Sequence, residues 1–262
     1  MAKVHWEGDV SSVITVAGNW DTNLVPAAGE DVIIPGNATV DMDGGSIVAA
    51  INSFTVEEGC TINMGSNTSG VITPITMTCA GQADRLLDIG GTGVMYLNVT
   101  TVETATIRKA GTAQTTGISP VNISSTNAIV TMNIVPTNAA VATLWEVAGE
   151  ATSVTNLNMT GGSLYIEPGV DCTNIDQSGG TIYNNNGETT ATLDQFGGTY
   201  YQYDGLITTL TQEQGSSGTV YYNSGETIVT LTAGGTFDLS KGLLATTITN
   251  ATTASGFGAT GE

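Results

Sequence analysis

One glycine phrase, written five times between residues 161 and 242, limits this chain to a small set of folds. A Gly-Gly or Ser-Gly pair is followed by Ser or Thr, and a lone Gly falls seven residues after the second member of the pair. The partners are Gly162 and Gly169, Gly180 and Gly187, Gly198 and Gly205, Gly218 and Gly225, and Gly235 and Gly242, so successive phrases are offset by 18, 18, 20 and 17 residues. A unit this short has too little apolar surface to cover its own backbone and must lean on a neighbour. The repeat therefore predicts a solenoid of strands.

Aligned on their glycines, the copies carry Leu157, Ile175 and Leu193 four residues before the pair's first glycine. After the pair and its Ser or Thr comes an apolar residue: Leu164, Ile182, Tyr200, Val220, Phe237. Next stand Tyr165, Tyr183, Tyr201 and Tyr221, and then Asp238 in the last copy. Short β-branched and aromatic runs bounded by Gly read as strands, and none has the 3.6 period of a helix. Two strands per unit with Gly at the corners describe a coil that returns one rung higher, about 4.8 Å away. Residues one repeat apart then stack. Leu164 to Phe237 should form one interior ladder and Leu157, Ile175 and Leu193 another, with the tyrosines facing outward by parity.

The period also equals three hexapeptides, the turn of a left-handed β-helix. Stepping by six from Leu157 gives Ser163, Gly169, Ile175, Thr181 and Gly187, so only every third position is aliphatic. That favours an all-β, right-handed parallel β-helix, with handedness the open point. Residues 1–30 are the least repetitive and hold Trp6 and Trp20, which suit a cap over the first coil, where an uncovered solenoid exposes interior and strand edge. Residues 31–248 read as the β-helix, irregular over 31–154 and regular over 155–248, and 249–262 as a tail or docking arm that includes Phe257. Strands are expected at 32–34, 38–42, 47–51, 54–56, 61–64, 94–102, 104–107 and 129–135. A short helix around Trp145, over 139–147, is the exception.

Five basic residues (Lys3, Arg85, Arg108, Lys109, Lys241) face 24 acidic ones, for a formal charge of −19. Phosphate neutralisation, and with it nucleic-acid binding, is excluded on that balance, and anionic membranes are repelled. Cys60, Cys79 and Cys172 are odd in number and far apart, so buried thiols are expected in place of a disulfide framework or zinc site. No basic start leads into an apolar stretch at the N-terminus, so synthesis in the cytoplasm without export is expected. No run reaches the roughly 18 apolar residues of a membrane span.

The segment HWEGDVSSVITVAGNWDTNLVPAAGEDVIIP, residues 5–35, resembles the opening of β-helical structural proteins of bacteriophages. The resemblance rests on Trp6, Asn19-Trp20, Val25-Pro26 and Gly29-Glu30-Asp31-Val32-Ile33-Ile34. It implies a virion component, foremost a capsid decoration protein contacting the major capsid protein and itself, with a trimer as a common form in such proteins. A tail or head fibre or spike that binds or cleaves host glycan, and a surface adhesin, are the alternatives it leaves open.

No motif calls for a cofactor or metal, and no catalytic residue is assigned. His5, the one histidine, sits beside Trp6 in the presumed cap, which would have to double as an active site for a Ser/His/Asp or Cys/His arrangement, so a terminal His without a catalytic role is expected. Asp41-Met42-Asp43-Gly44-Gly45 lacks the third ligand and the distant Glu of a calcium loop. Asp176 and Asp194 share one repeat position, followed by Gln177 and Gln195. Stacked carboxylates could approach the lower end of the roughly 5 to 9.5 Å that glycosidase pairs need. The flanking copies offer Asn158 and Thr211, which argues for a solvated turn ladder. Tyr165, Tyr183, Tyr201 and Tyr221 are the candidate contact residues, for a glycan, for a partner, or for one another. Trp6, Trp20 and Phe257 are the candidate cap and docking residues.

Overall fold

The computed structural model describes residues 2–11, 13–42, 46–68, 71–73, 75–79, 87–89, 95–100, 104–108, 121–125, 129–135, 141–144, 152–213, 216–222, 227–238 and 247–253. Trp145, Gly225, Gly242 and Phe257 lie outside these residues. Two parallel sheets, each of 12 strands, run side by side along the chain, and successive strands alternate between them over most of its length. This is a parallel β-helix. Among the described residues, the one antiparallel pair of strands is the small hairpin Ser66–Thr68 with Val71–Thr73.

Register follows the glycine phrase. Leu157 pairs with Ile175, Ile175 with Leu193 and Leu193 with Leu210, while Leu164, Ile182, Tyr200, Val220 and Phe237 form the matching column in the other sheet. Both columns point inward, and all but the partly buried Phe237 are fully buried. Burying such side chains stabilises a fold by about 1.5–3 kcal/mol each, which is what a coil lacks in isolation. The expected strands are found, as Asp31–Ile34, Thr39–Met42, Ser46–Ile51, Ser53–Val56, Thr61–Met64, Met95–Thr100, Thr104–Ile107 and Ile129–Ile134.

Glycine marks the corners for two separable reasons. Gly180 and Gly198 have φ of 76° and 84°, in the left-handed region that side chains resist. A Cβ on Gly180 would also stand 2.6 Å from the Gly161 carbonyl carbon and 2.7 Å from the Gly162 oxygen of the coil below. The corner is thus tight in torsion and in space.

The coils over 31–154 are irregular, as expected, from 18 residues between Leu87 and Ala105 to 33 between Phe54 and Leu87. Bonded partners lie 27 residues apart at Ser124 and Leu97 and 25 at Asn158 and Asn133, against 18 at Asn174 and Asn156. Two expectations are corrected. Within the segment around Trp145, Val141–Leu144 is a strand, paired with Val121–Ser125 below and Ser163–Ile166 above. Its Val and Thr suit a pleat, and two neighbouring strands supply ladder partners that an isolated helix turn would lack. The sheet also runs past the boundary at 248, through Thr247–Thr253.

The cap is part of the solenoid. Lys3–His5 pairs in parallel with Asp31–Ile34 and so begins the first sheet. Trp6 and Trp20, bridged antiparallel, pack edge to face with ring centroids 5.0 Å apart and planes at 81°. Both are buried, so they close the end of the core and offer a partner no surface. Trp20 Nε1 donates to the Ile14 carbonyl at 3.0 Å. Asn19, fully buried, accepts from the Val10 and Ser11 amides at 3.0 and 2.8 Å and donates to Ser11 Oγ and the Val13 carbonyl at 3.1 and 2.9 Å. Its amide meets all of the demands of a buried polar group. Asp31 accepts from Asn52 Nδ2 at 2.5 Å and Ser53 Oγ at 2.7 Å, tying cap to coil.

Candidate functional site

The outward tyrosines stack on one another. Tyr165 and Tyr183 have ring centroids 4.7 Å apart, Tyr183 and Tyr201 5.1 Å, and Tyr201 and Tyr221 4.8 Å, with planes within 10° of parallel throughout. Parallel in-register rungs dictate this, because identical side chains at one repeat position are set at the interstrand spacing. A sugar stacks on a ring face, and Tyr183 and Tyr201 each give both faces to neighbouring tyrosines. Toward solvent these two rings present edges. Burial pushes the Tyr183 phenol above its ordinary pKa, and the adjoining phenols of Tyr165, Tyr201 and Tyr203 add to it. Asp238 takes the next position after Tyr221 and ends the column.

A fifth ring was not among the expected contacts. Tyr203 lies parallel to Tyr201, within 4°, at 6.0 Å between centroids, and is 44% exposed. Its parity was readable, two residues after Tyr201, but it belongs to no repeated column. An open groove of about 470 Å³ runs beside it, lined by Tyr165, Ile166, Glu167, Tyr183, Asn185 and Tyr203.

Asp176 and Asp194 are register partners on adjacent coils, in the outward column that runs Asn133, Asn158, Asp176, Asp194, Thr211, Thr232. Burial raises the pKa of the Asp176 carboxyl, and the negative Asp194 next to it raises it further. A cleft of about 230 Å³ beside Asp176 is lined by Asn158, Met159, Thr160, Ser178 and Phe196. No cation lines it. The groups there repeat along the axis, whereas an acid pair for glycoside cleavage needs a substrate held across two carboxyls by converging donors.

The glutamines that follow Asp176, Asp194 and Thr211 point the other way. Gln177, Gln195 and Gln212 are fully buried and linked, Gln195 Nε2 donating to Gln177 Oε1 at 3.1 Å and Gln212 Nε2 to Gln195 Oε1 at 2.8 Å. Each amide also reaches carbonyls of the facing sheet, Thr199 at 3.0 Å from Gln177, Thr219 at 3.2 Å from Gln195 and Thr236 at 3.0 Å from Gln212. This internal ladder clamps the corner that follows. A second buried network joins Asn184, Tyr200 and Gln202, with Asn184 Nδ2 2.8 Å from the Tyr200 hydroxyl and that hydroxyl donating to Gln202 Oε1 at 2.7 Å.

His5 is half-buried in the first strand, beside a groove of about 600 Å³ lined by Trp6, Glu7, Asp9, Asp21, Pro35, Asn37 and Ala38. Asp21 Oδ1 accepts the His5 backbone amide at 3.1 Å, and among the described residues no Ser or Cys lines the groove. Cys60 and Cys172 are buried, as expected, and burial pushes the Cys60 thiol up to about 11 and Cys172 higher still. The Cys79 side chain and Asp43-Gly44-Gly45 lie outside the described residues. Among the described residues no group of three or more His, Cys, Asp or Glu is placed to hold a metal, and no helix is long and apolar enough to cross a membrane.

No family model, no curated protein and no solved structure matches the chain.

Proposed function

We propose that the chain is a non-catalytic structural component of a virion, a capsid decoration protein whose acidic β-helix is held against the surrounding particle proteins. One observation carries the reading. The outward columns repeat a residue type from rung to rung, tyrosine at 165, 183, 201 and 221 and aspartate at 176 and 194, which makes a periodic contact face where catalysis needs unlike groups converging on one point. The interior supports it: buried amides are tied to one another and to both sheets, so the body is built to keep its shape. The opening segment adds the virion context by resemblance, and its Trp6, Asn19 and Trp20 are the residues that close the core.

Antibody against the chain should label purified particles at a constant ratio to the major capsid protein, over the capsid faces. Label confined to the tail would shift the assignment to a fibre or spike, and absence from particles would overturn it. The pure protein should release no reducing ends from polysaccharides.

A further inference from the structure

The groove at Tyr203 differs from the columns around it because unlike groups meet there. The ring of Tyr203 lies parallel to that of Tyr201 within 4°, and the faces of Tyr201 look up and down the stack, so the faces of Tyr203 look along the stack as well. On the rung below stands Asn185, one residue past the Gln202 and Asn184 register pair, and below that Glu167. Both are exposed. Asparagine is shorter than tyrosine, so the column steps inward at Asn185, and the groove opens there between Tyr203 and Glu167. Two rungs span about 9.6 Å, room for one saturated six-membered ring between Tyr203 and Glu167. Tyr183 and Tyr165 wall the side.

We propose that this notch binds one uncharged pyranose unit of a glycan, with Tyr203 as the stacking platform and Glu167 and Asn185 bonding its hydroxyls. A ring face takes up the C–H side of a sugar. A carboxylate accepts from hydroxyls, and an amide both donates and accepts. Among the described residues the lining contains no cation, so an acidic sugar would meet Glu167 unpaired. The notch contains one carboxylate and is a binding subsite without cleavage. It is independent of the virion assignment.

The test is calorimetric titration of the pure chain with glucose, galactose, N-acetylglucosamine and their β1,4-linked trimers, with galacturonate as the charged comparison. At least one neutral sugar should saturate a single site. Tyr203→Ala should weaken it about tenfold, the loss expected for one stacking face. Tyr203→Phe, which keeps the face, should retain binding, and Tyr221→Ala, outside the notch, should leave the affinity within about twofold. Far-UV circular dichroism checks the fold of each variant. Absence of saturation by every neutral sugar, binding undiminished in Tyr203→Ala, or tighter binding of galacturonate would each overturn the proposal. Particle labelling and sugar titration can fail separately, so the two readings are distinguishable.

Discussion

Tyr183 lies face to face with Tyr201, ring centroids 5.1 Å apart and planes 2° from parallel, and it meets Tyr165 in the same way on its other side. Aromatic pairs contribute about 0.5–1.5 kcal/mol each beyond area burial. Tyr183→Ala loses two such pairs and Tyr165→Ala one. Chemical denaturation should give a loss of about 1–3 kcal/mol for Tyr183→Ala and about half of that for Tyr165→Ala. Equal losses would mean that the rings are adjacent without being coupled.

Gln195 is the middle of the buried amide ladder, bonded to Gln177, Gln212 and two carbonyls. Gln195→Ala strands several of these groups, each at a cost of about 1–3 kcal/mol, so urea midpoints should report a destabilisation of at least about 2 kcal/mol. Gln195→Glu replaces the donating amide by a carboxylate facing carbonyls. Its folded pKa is raised, so the variant should recover stability as pH falls through that raised value and lose it again as pH rises.

At Asp176 the sign is the same in the native chain. Burial and Asp194 raise its pKa above 3.8, so ionisation disfavours the fold and stability falls as pH rises from 3.8 through the raised value. Asp194→Asn removes the like charge directly opposite. Thermal melts at pH 7 should show a gain of about 0.2–1 kcal/mol that disappears below the carboxylate range.

Asp31 behaves oppositely. Burial alone would raise its pKa, but the hydrogen bonds from Asn52 and Ser53, with the positive Lys3 nearby, hold it below the ordinary 3.8. The stability it contributes is present above 3.8 and is lost as pH falls through the lowered folded value. Tryptophan emission from the cap should therefore hold steady to about pH 4 and change below it, and Asp31→Asn should remove that acid step.

Gly180→Ala meets both a left-handed backbone and a Cβ 2.6 Å from the coil below. The torsion alone costs about 1–2 kcal/mol. A melting temperature within a degree of the parent would show that this corner relaxes freely.

The glycine spacing made the regular coils legible because it reports a backbone requirement that few other residues meet. Leu157, Ile175 and Leu193 were readable as a core column for a similar reason, since nothing polar interrupts them. The glutamine ladder has the same parity, two residues after each of Ile175, Leu193 and Leu210, yet polarity hides it: an amide is counted as outward until its partners on the next rung are known. Tyr203 and its notch were harder still. The site depends on a short residue at 185 beneath a long one at 203, a contrast between coils that period-matching averages away. The segment around Trp145 misled because a run of Ala and Leu reads as helical until strands on both sides claim its backbone.

Shared register also bears on how such a chain changes in length over generations. Duplication of residues 178–195 would place Gln over Gln, Tyr over Tyr and Asp over Asp at both new junctions, adding one rung of about 4.8 Å. Reach is thereby a heritable variable separate from fold, set by copy number. The Tyr203 notch lies across the edge of that segment, so the same duplication would set a second Asn185 between Tyr203 and Glu167 and widen the notch by one rung.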